Sequence, residues 1–136
     1  MAKLHLKVVT PEKLIIDEEV DEVVVTTDLG EIGILPFHAN LMSNVVLGEM
    51  RIKNGSQVKV LAVGSGLLQM TDNTLSVLTD LAQGVEEINE KEIEEARARA
   101  QAALEKTLTD EEYAETLAVL ERSLAQLRVK RRHKVR

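Results

Sequence analysis

Near the start of the chain Leu4, Leu6 and Val8 are apolar and His5 and Lys7 polar, the period of two that marks a strand with one buried face. Val20 to Thr27 is rich in β-branched residues and about one strand long. Further strand-like runs cover Glu31–Leu35, Met50–Lys53, Gln57–Val63, Leu67–Met70 and Thr74–Leu81. Turn signals separate them at Thr10-Pro11, Leu29-Gly30, Asn54-Gly55 and Asp72-Asn73. Asn54-Gly55 is the strongest, and predicts a type I′ hairpin turn with positive φ at both central residues. Strands this frequent, with no helix between them, point to an antiparallel sandwich or barrel. The adjacent Gly64 and Gly66 predict a bulge between two strands.

After Gly84 the pattern changes period. All seven glycines and both prolines lie at or before that residue, and eight of the twelve alanines lie after it. Gly and Pro punctuate turns, whereas Ala, Glu, Leu, Lys and Arg favour helix. The shift places a boundary at Gly84 to Asn89, giving a β unit over 1–84 and a helical unit over 85–136. Asn89 with Glu92 has capping-box spacing, and Ile93, Ala96, Ala100 and Ala103 or Leu104 then recur on one helical face. Thr109 with Glu112 opens a second helix, on which Tyr113, Leu117, Leu120, Leu124 and Leu127 form an a/d seam. So short a connection makes the two helices an antiparallel hairpin. Its alanine-rich seam buries little area, so the hairpin is marginal by itself and suits a moving part.

Composition narrows the function. The chain has 136 residues, a formal charge of −6, no cysteine, and Phe37 and Tyr113 as its only aromatic residues. Disulfides, thiolate metal sites and cysteine nucleophiles are excluded, and neither the charge nor the aromatic content suits nucleic acid. No apolar run approaches the roughly 18 residues of a membrane span, and the N-terminus lacks a signal-peptide pattern, so a soluble, cytoplasmic chain is expected. The charge is unevenly spread: Arg128, Lys130, Arg131, Arg132, Lys134 and Arg136 crowd the last nine residues, which hold no acid. Such a cationic tip fits an acidic partner surface, and also complements the negative end of the helix dipole.

No catalytic constellation emerges. His5, His38 and His133 are far apart and make no metal-ligand pair. Val63-Gly64-Ser65-Gly66 is neither a nucleophile elbow nor a phosphate loop. The carboxylates of Asp17-Glu18-Glu19 and Glu94-Glu95 read as solvated faces. The expectation is a protein without an active site, a metal or a required cofactor.

Two segments are more specific. Gly30-Glu31-Ile32-Gly33-Ile34-Leu35-Pro36-Phe37-His38-Ala39 resembles the signature loop of the epsilon subunits of F-type ATP synthases, Gly-x-Leu/Ile-Gly-Ile/Val-Leu-Pro-x-His-Ala. The stretch from Val63 to Leu78 resembles that family's second motif, a Gly-Gly hairpin before an Asn-x-Val-Thr-Val-Leu strand. The resemblance runs the length of the chain in order. It implies an N-terminal β-sandwich of about ten strands followed by the helical hairpin. It also implies a non-catalytic subunit at the foot of the rotor's central stalk, on the cytoplasmic face of a bacterial membrane. There it would contact the γ subunit and the ring of c subunits, with Glu31 and His38 as interface candidates.

The same resemblance makes the hairpin a brake on ATP hydrolysis. Extended, it would reach the α and β catalytic subunits, with Arg128, Lys130, Arg131, Arg132, Lys134 and Arg136 as inhibitory contacts. Some family members bind ATP at the folded hairpin through Ile/Leu-Asp-x-x-Arg-Ala. Here the run is Ile93-Glu94-Glu95-Ala96-Arg97-Ala98, with Glu94 in place of Asp. The ATP-binding candidates are therefore Glu94, Arg97 and, on the second helix, Arg122, while Gln126 stands where another arginine is usual. The readings outside this family are a stand-alone β-sandwich adaptor and a small nucleotide sensor.

Overall fold

A computed structural model of the chain describes residues 2–133. Between Gly84 and Val85 the chain divides into two compact units. The first comprises β1 (Leu4–Val9), β2 (Leu14–Val20), β3 (Glu22–Thr27), β4 (Gly30–Ile34), β5 (Leu41–Asn54), β6 (Gln57–Val63), β7 (Gly66–Thr71), β8 (Thr74–Thr79) and β9 (Ala82–Gly84). Strand order is β2-β1-β8-β7-β5-β3-β4, with β6 and β9 continuing from the other part of β5. Pairing is antiparallel except between β1 and β8, which run parallel.

The ribbon closes into a sandwich because β5 belongs to both layers. Its first part, Leu41 to Val45, pairs with β7, and its second, Gly48 to Asn54, pairs with β6. Where the chain passes from β2 to β3, the Asp21 N–H donates to Lys53 O of β5 at 2.9 Å, which brings the end of β2 against the end of β5. Every second residue points into the core: Leu4, Leu6 and Val8 from β1, Val23 and Val25 from β3, Leu68 and Met70 from β7, Leu75 and Val77 from β8. These aliphatic side chains exclude water from one continuous cluster, the main favourable term for a unit of this size.

Several expectations need refinement. Val20 to Thr27 is two strands, broken at Asp21, whose carboxylate accepts the Gly55 N–H at 2.6 Å and the Lys3 ammonium at 3.0 Å. Asn54-Gly55 is not a type I′ turn. Asn54 pairs with Gln57, so Gly55 and Ser56 form the loop, and only Gly55 has positive φ, as a type II′ turn requires. The turn with positive φ at both central positions is Asp72-Asn73, at 50° and 58°. At Gly66 the backbones of β7 and β8 approach so closely that a Cβ would lie 1.9 Å from Leu78 O. Nearby, the buried Thr79 hydroxyl donates to Gly64 O at 2.9 Å.

The second unit holds a short 3₁₀ turn (Val85–Glu87), α1 (Glu90–Ala103) and α2 (Asp110–Arg132). The Asn89 side chain caps α1 by accepting the Glu92 N–H at 3.2 Å. Thr109 and Glu112 form a reciprocal capping box on α2, with both bonds at 3.1 Å. The α1 seam of Ile93, Ala96, Ala100, Ala103 and Leu104 is buried or half-buried. On α2, Leu117, Leu120 and Leu127 are covered, but Tyr113 and Leu124 remain 48% and 41% exposed. With Glu90 and Glu94 level with Arg131, an antiparallel α1 ending at Ala103 reaches only to about Leu120 at 1.5 Å per residue. Tyr113 therefore lies beyond the end of its partner helix.

Gly66→Ala is expected to destabilise the protein by about 1–3 kcal/mol, because backbone and not a flexible side chain must move. Gly33→Ala, whose Cβ would meet Val24 at 4.0 Å, should stay within about 0.5 kcal/mol of the parent in urea unfolding.

Candidate functional site

The β unit and the hairpin each carry a site. In the β unit, the end of β4 runs into Leu35-Pro36-Phe37-His38, where the His38 N–H donates to Leu35 O at 3.1 Å. Pro36 supplies the fixed φ of the first central position, and Phe37 takes φ 64° at the second, the pattern of a type II turn. The tip is apolar, with Leu35 and Phe37 55% and 72% exposed, and Met42 on the following strand β5 is 62% exposed. His38 is exposed, its Nδ1 2.8 Å from Ala39 O.

Glu31 stands on β4 with its charge compensated. Arg51 donates to it at 2.7 Å and to the buried Glu49 at 2.6 Å. Hydrogen bonds from Glu31 and then Glu49 raise the Arg51 pKa above its already high ordinary value. What this edge presents outward is an ion pair rather than a lone carboxylate.

In the hairpin, antiparallel helices bring the start of α1 against the end of α2. Arg131 donates through Nε to Glu90 at 2.8 Å and through Nη2 to Glu94 at 3.0 Å, while Arg97 donates to Glu94 at 2.7 Å. Lys130 Nζ donates to Val85 O at 2.9 Å. Hydrogen bonds from Arg97 first, and also from Arg131, hold the Glu94 carboxyl below its ordinary range, against a smaller opposing effect of desolvation. A groove of about 860 Å³ opens beside these pairs, lined by Glu94, Arg97, Leu124, Arg128, Arg131 and Arg132 among others. Its chemistry is that of an anion site, several guanidinium groups around one carboxylate.

The structure therefore unites Glu94 and Arg97, as the ATP-site motif requires, but Arg122 is not among the groove's lining residues. Arg128, Arg131 and Arg132, expected as contacts to other subunits, line it in this hairpin. Their spacing from Leu124 and Leu127 places them on one stripe of α2, a signal already present in the sequence. Lys134 and Arg136 lie outside the described residues. The apolar trio of Leu35, Phe37 and Met42 was not singled out from sequence. Among the described residues no group of three or more acidic or histidine side chains could hold a metal, and no helix is long and apolar enough to cross a membrane.

Residues 3–85 match the family model for the β-sandwich domain of ATP synthase delta/epsilon chains. The chain belongs to this family. Similarity extends through the hairpin: it is 38% identical to the ATP synthase epsilon chain of Geobacter sulfurreducens over 128 residues, 93% of each chain. It is 40% identical to that of Geobacter metallireducens over 129 residues, again 93% of each. With that of Dehalococcoides mccartyi identity is 40% over 130 residues, 95% of this chain and 93% of the relative. The fold is shared with a chain in the cryo-EM structure of Euglena gracilis mitochondrial ATP synthase (TM-score 0.74, 20% identity, 92% of this chain and 79% of the other). It is also shared with a chain of the Tetrahymena thermophila mitochondrial ATP synthase central stalk and c-ring structure (TM-score 0.61, 14% identity, 96% of each). As an epsilon chain the protein is a structural and regulatory subunit of ATP synthase, not a catalytic one.

The Glu94 interactions make the hairpin acid-sensitive. A carboxyl with a depressed pKa stabilises the folded form above its unfolded pKa and loses that contribution as the pH falls through the folded value. Amide protection across 90–103 should therefore weaken below roughly pH 4. Glu94→Gln is expected to flatten this dependence, and Arg131→Gln to speed exchange at neutral pH.

Proposed function

We propose that the β-sandwich joins this chain to the γ subunit and the c ring as part of the central stalk, on the cytoplasmic side of the membrane. The epsilon-chain relatives, matched across 93% of their length, supply the machine. Within it, the loop carrying Leu35, Phe37 and His38, with the exposed Met42 of β5 and the pair of Glu31 on β4 with Arg51 on β5, is the contact face. A closed sandwich with one core deforms little under load, which suits an element that turns with the shaft while protons drive ATP synthesis.

The hairpin is the regulatory arm. The carrying observation is that an alanine-rich α1 face against a few α2 leucines, together with surface ion pairs that water screens, holds it together. An element held so lightly can exchange between folded and extended forms differing by a few kcal/mol. In the extended form Arg128, Lys130, Arg131 and Arg132, with Lys134 and Arg136, are free to meet acidic groups on the α and β subunits and slow ATP hydrolysis. In the folded form the groove at Glu94, Arg97 and Arg131 takes the polyphosphate of ATP as a regulatory ligand, favoured by its four arginine side chains.

Removing residues 88–136 should raise ATP hydrolysis by the reconstituted complex severalfold while leaving assembly intact; an unchanged rate rules out the brake. Titration of the isolated chain with ATP in a calorimeter should give saturable heat that Arg97→Gln abolishes. No heat at millimolar ATP removes the nucleotide from this reading.

A further inference from the structure

Asn73 occupies the second central position of the β7–β8 turn, between the paired Thr71 and Thr74. Its φ of 58° suits asparagine or glycine. The residue does more than turn the chain. Its Oδ1 accepts the Phe37 N–H at 2.7 Å, its Nδ2 donates to Lys3 O at 2.8 Å, and its own carbonyl accepts the His5 N–H at 3.0 Å. One carboxamide thus ties the loop after β4, 36 residues away, to the N-terminal segment, 70 residues away.

The loop it holds is strained. Phe37 is a bulky residue in the left-handed region, where side chains other than Asn, Asp and Gly are disfavoured. At 72% exposure the ring recovers little by burial within the chain. Backbone strain held by surrounding hydrogen bonds is characteristic of positions where geometry serves binding. Here it leaves Phe37 exposed in the same turn as the exposed Leu35.

We propose that Asn73 is a positioning residue for docking: its carboxamide holds Phe37 in the left-handed turn, so that Leu35 and Phe37 form a ready-made apolar face for the assembly of γ and c ring. This rests on the reading of that loop as the rotor contact. Holding the loop in the free subunit moves its ordering cost from docking to folding, which raises affinity without adding a contact.

Three variants of the full chain test this, read by hydrogen exchange at the Phe37 amide and by affinity for a detergent-solubilised γ–c-ring assembly. Asn73→Gly keeps the positive φ and the backbone bond to His5, and removes only the carboxamide. It should speed Phe37 exchange and weaken binding, each about tenfold. Asn73→Asp keeps the acceptor for Phe37 but loses the donor to Lys3, and should leave Phe37 protected, which separates the loop from any general loss of stability. Phe37→Ala should weaken binding directly. Unchanged Phe37 exchange in Asn73→Gly overturns the proposal, as does faster exchange with full affinity while Phe37→Ala binds poorly. If exchange rises but both Asn73→Gly and Phe37→Ala bind normally, the loop is not the rotor contact, and the proposal falls with that reading while the tether to Phe37 stands.

Discussion

The architecture of the β unit depends on the backbone hydrogen bonding of one strand. β5 runs for 14 residues and changes neighbour half-way, from β7 to β6, while β3 stays along its other edge. A strand that serves both layers makes a continuous ladder turn a corner, so the sandwich needs no separate joint between its sheets. The corner is tight: a Cβ on Gly48 would lie 3.0 Å from Thr26 Oγ1, next to the register shift in β3. Each layer is covalently and cooperatively part of the other, and the aliphatic core is held between them.

The hairpin follows the opposite logic. Small side chains allow close approach but contribute little apolar area, and the cross-helix contacts at the open end are ionic. Ion pairs near the surface are sensitive to salt, to acid and to competing anions. The two halves of the chain thus differ in balance: the β unit rests on a large aliphatic core, whereas the hairpin buries few large side chains, Leu127 and Val129 among them, and adds charge pairs that salt and acid reach.

Much of this was legible in the sequence, and the failures have physical causes. β1, β3, β7 and β8 announce themselves because one face meets the core at every second residue. β2 is hidden because it closes one end of the sheet, where Asp17, Glu18 and Glu19 face water and imitate a turn. Most of β5 is hidden because its period slips at the corner: Glu49 and Met50 are consecutive and both buried. The seam of α2 is legible at Leu117, Leu120 and Leu127, but helical spacing cannot reveal that α1 stops short of Tyr113. The site residues follow the same rule. The pairing of Glu94 with Arg97 is three residues apart on one helix and is legible locally. The partner of Glu31 sits across two strands, and the backbone state of Phe37 is tied to a side chain 36 residues downstream, so neither left a local trace.

The helix caps bear on how such an arm could move. Asn89 caps α1 and the Thr109–Glu112 pair caps α2, each using only residues of its own helix or the one before it. The orphan N–H groups at each start are thus answered without help from the opposite rod. Pulling the rods apart would leave both start sites intact, so the swing would be absorbed by the few linker residues from Leu104 to Leu108. Local caps of this kind suit a pivot, like that of a jointed ruler, better than melting and re-forming.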